Sequence, residues 1–355
     1  MKTPISILSI LLLTVFLIGC GNEEKTTAPV FNTAPSYDSG KPWKYDFNAT
    51  GDALNWVDTG FTLPAALTGS QVAVIGDYVY LFGGADTNKI YRAAVTNPTA
   101  WVDTNATLPA ALSGSQTAII GDYVYLFGGF FGGEPSFPFA DVIYRAPVAN
   151  PTTWIDTNAT LPDVVGSSQT AVIGDYVYLF SGTSFGGINS FTSSRYWIFK
   201  APITNPTAWV DGGSLPYNLA DSQVAIIGDF VYLFGGDNGG TMAHNPPPPV
   251  SNNIIYKAPI TDPSAWVNTN ATLPSDLTSS QTAVIGDYVY LFGGSGTNKI
   301  YRAPITNPTA WVDTGAILPS ALSFSQTAII GDYIYLFGGY NGTSDANKIY
   351  KAYIK

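Results

Sequence analysis

One block of sequence recurs six times along this chain, and that recurrence constrains the fold more than any single residue. Its consensus runs SQTAVIGDYVYLFGG, then IYRAPITNPTA, then WVDTNATLP. The Gly-Asp pair inside it falls at Gly76-Asp77, Gly121-Asp122, Gly174-Asp175, Gly228-Asp229, Gly286-Asp287 and Gly331-Asp332. A unit of roughly 40–50 residues made of short strands cannot bury its hydrophobic face alone, so copies must stack on one another. The expected fold is all-β, a propeller of six blades.

The first unit shows how a blade is written. Ser70 to Ile75 is a short apolar run, followed by Gly76-Asp77 and by Tyr78 to Phe82. Two such runs joined by Gly-Asp read as a hairpin with a type II′ turn. In the second run Tyr78, Tyr80 and Phe82 point one way, Val79 and Leu81 the other, so both faces are buried. Asn88 to Val95 reads as a third strand, Thr96-Asn97-Pro98 as a turn, and Ala100 to Thr104, carrying Trp101, as a fourth. The Trp strand recurs at Trp56, Trp101, Trp154, Trp209, Trp266 and Trp311. The first has no unit before it, and the last unit reaches Lys355 with no Trp strand after it. The strand at Trp56 should therefore pair near Tyr350, complete the last blade and close the ring, hiding the edges an open sheet would expose.

These marks resemble the kelch-repeat family, which includes galactose-oxidase-like propellers: a Gly-Gly pair after the second strand, then a spaced Tyr, then a Trp. They stand here at Gly83-Gly84, Tyr91 and Trp101 and recur in every unit, from about Asn55 onward. The third unit departs, with Ser181-Gly182 for the pair and Phe199 for the Tyr. The resemblance implies a six-bladed ring of four-stranded blades and a role in binding protein or carbohydrate.

The N-terminus reads differently. Lys2 precedes an apolar stretch from Ile5 to Ile18, too short to span a bilayer comfortably but suited to a signal-peptide core. It ends in Leu17-Ile18-Gly19-Cys20, which resembles the lipobox of bacterial lipoproteins, with Cys20 the lipidated residue. The expected organisation is a lipoprotein signal peptide over 1–19, a lipidated Cys and flexible tether over 20–52, and the propeller over 53–355. That places a monomer at the bacterial cell envelope, touching the membrane only through its lipid.

Composition removes several chemistries. The formal net charge is −10 and charged residues make up 11% of the chain, with no basic run, so nucleic acid is not an expected partner. Cys20 is the only cysteine and His244 the only histidine, which excludes disulfides, a cysteine nucleophile in the propeller and a Cys-linked copper oxidase. No cofactor or metal motif stands out. Arg92, Arg145 and Arg302 share one repeat position and are spread around the ring, so a converging arginine triad of sialidase type is not expected. Glu134 is the only Glu of the propeller, and a glycosidase pair would have to join Asp237 to Glu134 or Asp141.

The loops between second and third strands are where the units diverge. From the second Gly to the third-strand aromatic the spacing is 7 residues in units one and five and 11 in unit six, against 15, 17 and 20 in units two, three and four. Unit two offers Phe130, Phe131, Glu134, Phe137 and Phe139; unit three Phe185, Phe191, Arg195, Tyr196 and Trp197; unit four Asp237 and His244. Aromatics beside a few polar groups suit sugar stacking or a protein contact, and they also suit packing on one another to pin the loops. The glutamines at the start of each first strand, Gln71 to Gln326, are expected to form a hydrated structural ring around the axis. The leading expectation is a non-enzymatic binding module that recognises a glycan or a protein through these three loops. The alternatives are an enzyme of the sialic-acid mutarotase kind, which needs acid–base groups at the channel mouth, and a structural spacer.

Overall fold

The computed structural model describes residues 54–85, 87–132, 139–182, 196–237 and 251–354. They form six antiparallel sheets arranged as blades, with no helix among the described residues. In the first blade the strands are Gln71–Ile75, Tyr78–Phe82, Lys89–Ala94 and Val102–Thr107, in that spatial order. The first strands of successive blades neighbour one another and line the axis. The ring closes as the repeat count requires. The strand β1 (Trp56–Thr62) pairs with the last strand of the chain, Trp56 opposite Ala352 and Asp58 opposite Tyr350.

Each hairpin turn uses its glycine. Gly76 sits at φ 57°, and the equivalents from Gly121 to Gly331 lie between 55° and 58°, as the first central position of a type II′ turn demands. The fourth strand begins after the tryptophan, because the Asn-Pro turn folds the indole back on itself. Trp101 Nε1 donates to the Pro98 carbonyl at 2.9 Å, and the same bond recurs at Trp154, Trp209, Trp266 and Trp311.

Blades are held face to face by the residues that made the second strand apolar on both sides. Each Trp packs edge-on against the second-strand Phe of the preceding blade: Trp101 on Phe337 at 5.0 Å, Trp154 on Phe82 at 4.9 Å, and Trp56 on Phe292 at 5.1 Å across the closing seam. Aliphatic residues fill the rest, so six hydrophobic clusters lie between blades rather than within them. Burying each such side chain contributes roughly 1.5–3 kcal/mol.

The Gly-Gly pair is a close-approach device. Gly128 has φ 59°, and a Cβ there would stand 2.3 Å from the Val165 carbonyl of the loop entering the next blade. In blade three the first Gly is replaced by Ser181, which keeps the left-handed conformation at φ 56°. Its hydroxyl bonds the Asn218 side chain at 3.0 Å and accepts the Leu219 N–H at 2.7 Å, so the departure is offset by hydrogen bonds.

Candidate functional site at the mouth of the ring

The connections that enter each first strand meet at one end of the axis. The residue just before each Ser-Gln pair is Gly69, Gly114, Ser167, Asp221, Ser279 or Phe324. Each is in the left-handed region, with φ between 53° and 63°. Each donates its N–H to the carbonyl of the same position in the preceding blade: Gly114 to Gly69 at 2.8 Å, Ser167 to Gly114 at 3.0 Å, Asp221 to Ser167 at 3.0 Å, Ser279 to Asp221 at 2.8 Å, Phe324 to Ser279 at 2.9 Å, and Gly69 to Phe324 at 3.2 Å. Six bonds thus close a hoop around the mouth. Glycine takes this backbone conformation freely; for an ordinary L-residue it costs roughly 1–2 kcal/mol. Phe324 is the strained member, a bulky residue 36% exposed at φ 53°.

Asp221 is the only charged residue in the hoop. The residue keeps partial solvent contact while its carboxyl is surrounded by protein. Burial raises its pKa from the ordinary 3.8 to about 7, aided by the neighbouring Asp237 carboxylate and opposed by a hydrogen bond from the Ser167 hydroxyl. Asp237 is brought there by backbone pairing: its N–H donates to the Ala220 carbonyl at 2.8 Å and its carbonyl accepts the Ala220 N–H at 3.1 Å. The structure therefore joins Asp237, singled out in the sequence, to a carboxylate that was not.

The remaining loop residues fall in different places. Phe130 and Phe139 extend the middle hairpin of blade two, facing each other in register with rings 4.7 Å apart. Phe130 is half-buried and lies over two glycines of the mouth: a Cβ on Gly166 would stand 2.4 Å from its ring, and one on Gly114 2.8 Å. It thus sits beside Ser167, the partner of Asp221. Phe131 pairs with Leu112 and packs into the core between blades one and two. Tyr196 stacks on Tyr217 at 6.1 Å and Trp197 on Phe199 at 5.8 Å, both within blade packing. Glu134, Phe137, Phe185, Phe191, Arg195 and His244 lie outside the described residues, as does Cys20.

Two further features of the sequence resolve as structure. The side-chain amide of every first-strand glutamine, from Gln71 to Gln326, donates to the carbonyl of the serine before it, at 2.8–3.0 Å. The third-strand cations lie over the first aromatic of the second strand, as Arg92 does over Tyr78 at 4.6 Å and Arg302 over Tyr288 at 4.4 Å. A separate groove of about 940 Å³ runs between the outer strands of blades five and six; its one charged lining residue, Asp58, is ion-paired to Lys348 at 3.1 Å.

Asp221, Phe324 and the exposed Tyr340, which bridges to Ser323, were not among the expected site residues. The signal was nonetheless in the repeat. The position before Ser-Gln reads Gly, Gly, Ser, Asp, Ser, Phe, varying while its neighbours repeat.

No protein-family profile and no curated protein sequence matches the chain. Among solved structures the fold is similar to that of YjhT, with a TM-score of 0.66 and 15% identity over 81% of this chain and 95% of that one. At that identity the likeness establishes the six-bladed propeller and nothing finer. The expectation that this chain is no enzyme does not stand against this likeness. Asp221 adds at the mouth of the ring a titratable group that the expectation did not count.

Proposed function

We propose that this chain is a mutarotase-type enzyme that interconverts the anomers of a reducing sugar at the mouth of its ring. The observation that carries the reading is Asp221, held in the hoop beside Asp237 with its pKa raised to about 7. A carboxyl group poised there gives and takes a proton with little driving-force penalty near neutral pH. Protonated Asp221 donates to the ring oxygen while the Asp237 carboxylate takes the proton of the anomeric hydroxyl. The bond from the anomeric carbon to the ring oxygen breaks, and the anomeric carbon becomes a carbonyl. Rotation next to that carbonyl and closure on its other face return both protons and give the other anomer. Phe130 and Phe324 flank the hoop on either side of Asp221 and supply apolar faces for the sugar's C–H groups. The kelch-type likeness in sequence and the fold shared with YjhT support the same reading.

The test is anomer exchange followed by NMR saturation transfer. The wild type should accelerate it and Asp221→Asn should lose at least ten-fold in kcat with its fold intact; equal rates in the two would reject the assignment. Anchoring through Cys20 at the bacterial envelope is part of the same proposal and would place the activity outside the cytoplasm, where exported sugars are met.

A further inference from the structure

We infer that the sugar taken at this mouth is uncharged, and that a carboxylated sugar of the same ring shape is turned away. The inference rests on the site proposed above and names its substrate class. It comes from an account of every positive charge in the described propeller.

The described residues contain nine Lys and Arg, and each has a repeat-level partner. Lys89, Lys299 and Lys348 open the third strands at the mouth end of their blades but are neutralised from the neighbouring outer strand, pairing with Asp103, Asp313 and Asp58 at 2.8–3.1 Å. Arg92, Arg145, Lys200, Lys257, Arg302 and Lys351 lie over the aromatic residue that follows each Gly-Asp turn, which directs them to the opposite end of the ring. Among the described residues none of these cations belongs to the hoop or to the loops beside it. The charges that do belong there are acidic: Asp221 in the hoop, Asp237 paired beside it, and Asp345, which accepts the Thr68 hydroxyl at 2.6 Å in the loop of blade six.

A carboxylated ligand entering this mouth meets like charge with no fixed cation among the described residues to offset it, in a place where water screens poorly. A bidentate Arg clamp, the usual means of holding a carboxylate, is missing from the described mouth. A neutral sugar meets the opposite situation. Its hydroxyls are donors, and Asp221, Asp237, Ser167 and Ser279 supply acceptors around the hoop. Its C–H face has Phe130, Phe324 and Tyr340, the last two 36% and 38% exposed.

The experiment uses sugar pairs that differ only in charge. Galactose and galacturonic acid share one ring and differ at C6; glucose and glucuronic acid make a second pair, and N-acetylneuraminic acid is the acidic sugar of most interest. Binding is read by ligand-observed NMR and anomer exchange by saturation transfer, with the full chain in detergent at pH 7.5. The expected result is at least a ten-fold higher kcat/KM for each neutral sugar than for its acid partner. Exchange of galacturonic or N-acetylneuraminic acid as fast as of galactose would overturn the inference and leave the enzyme reading standing. Binding of the neutral sugars alone, without accelerated exchange, would uphold the inference and remove the mutarotase. If no sugar of either kind binds, both fall.

Discussion

Replacing Asp221 with Asn should make the protein more stable at alkaline pH and leave it nearly unchanged below about pH 4. The folded pKa of Asp221 is raised from 3.8 to about 7 by burial and by Asp237. The folded state therefore holds its proton more tightly than the unfolded chain does. The stability that follows is complete below about pH 4 and is lost as pH rises through about 7. A shift of about three units at 1.36 kcal/mol each sets a ceiling of about 4 kcal/mol. Partial solvent contact and movement of Asp237 reduce this, and ~2 kcal/mol is the working figure. For a chain of this size that is a Tm change of about 4 °C. Thermal unfolding of the wild type and Asp221→Asn at one scan rate, at about pH 3.5 and about pH 8.5, reads the effect directly. The variant should melt about 4 °C higher at the alkaline pH and within about 1 °C of the wild type at the acidic one. Asp237→Asn provides the second arm, because removing that charge should move the crossover to lower pH. A difference between wild type and variant that is the same at both pH values would refute a buried, proton-holding Asp221.

Three other outcomes follow from named contacts. Gly121→Ala and Gly128→Ala introduce a methyl at nearly the same φ, 57° and 59°, but the first meets nothing within 4 Å and the second meets Val165 O at 2.3 Å. Urea unfolding should show a loss of about 1–2 kcal/mol for the first and more than about 3 kcal/mol for the second; equal losses would mean that blade contact is not what requires the pair. Ser181→Ala strands the Leu219 N–H and should cost about 1–3 kcal/mol by the same assay, with a loss under about 0.5 kcal/mol counting against the compensation described for blade three. Cys20→Ala expressed in a bacterial host should move the protein from the membrane to the soluble fraction and remove the lipid mass; retention on the membrane would count against the lipoprotein reading.

The fold was legible in the sequence because a propeller repeats its instructions. The Gly-Asp turn, the two-faced apolar strand and the Trp after Asn-Pro each stated a local structure, and six statements agreed. Even closure could be read, since Trp56 had no unit before it and the last unit lacked its fourth strand; Trp56 now stands opposite Ala352. The errors were local. The fourth strand starts after Trp101 because its indole bonds Pro98, a turn contact that strand propensity does not encode. The Ser181 departure was visible, but its cure needs Asn218 and Leu219, which come from the next connection and which no spacing rule links to it.

The candidate site was less legible because loop length is the louder signal. Long loops mark divergence and point to Asp237 and Phe130. Yet the described parts of those loops chiefly pin blades: Phe139 on Phe130, Trp197 on Phe199, Tyr196 on Tyr217. The proposed chemistry gathers at a position with no extra length at all, one residue before each Ser-Gln. Symmetry explains why. Six copies of one backbone conformation place six side chains around a single axis, so one substitution in one copy puts a unique group at the mouth without disturbing the hoop. Two copies keep Gly, two carry Ser, one carries Asp and one Phe. The backbone bonds run through all six alike. An Asp or a Phe in the left-handed region is costlier than the Gly that would serve the hoop equally well, so structure alone does not call for either residue. What Asp221 and Phe324 add is a proton-exchanging carboxyl and an exposed ring on a scaffold that is otherwise uniform, and in a ring built by repetition the departures from the repeat are the place to look for its chemistry.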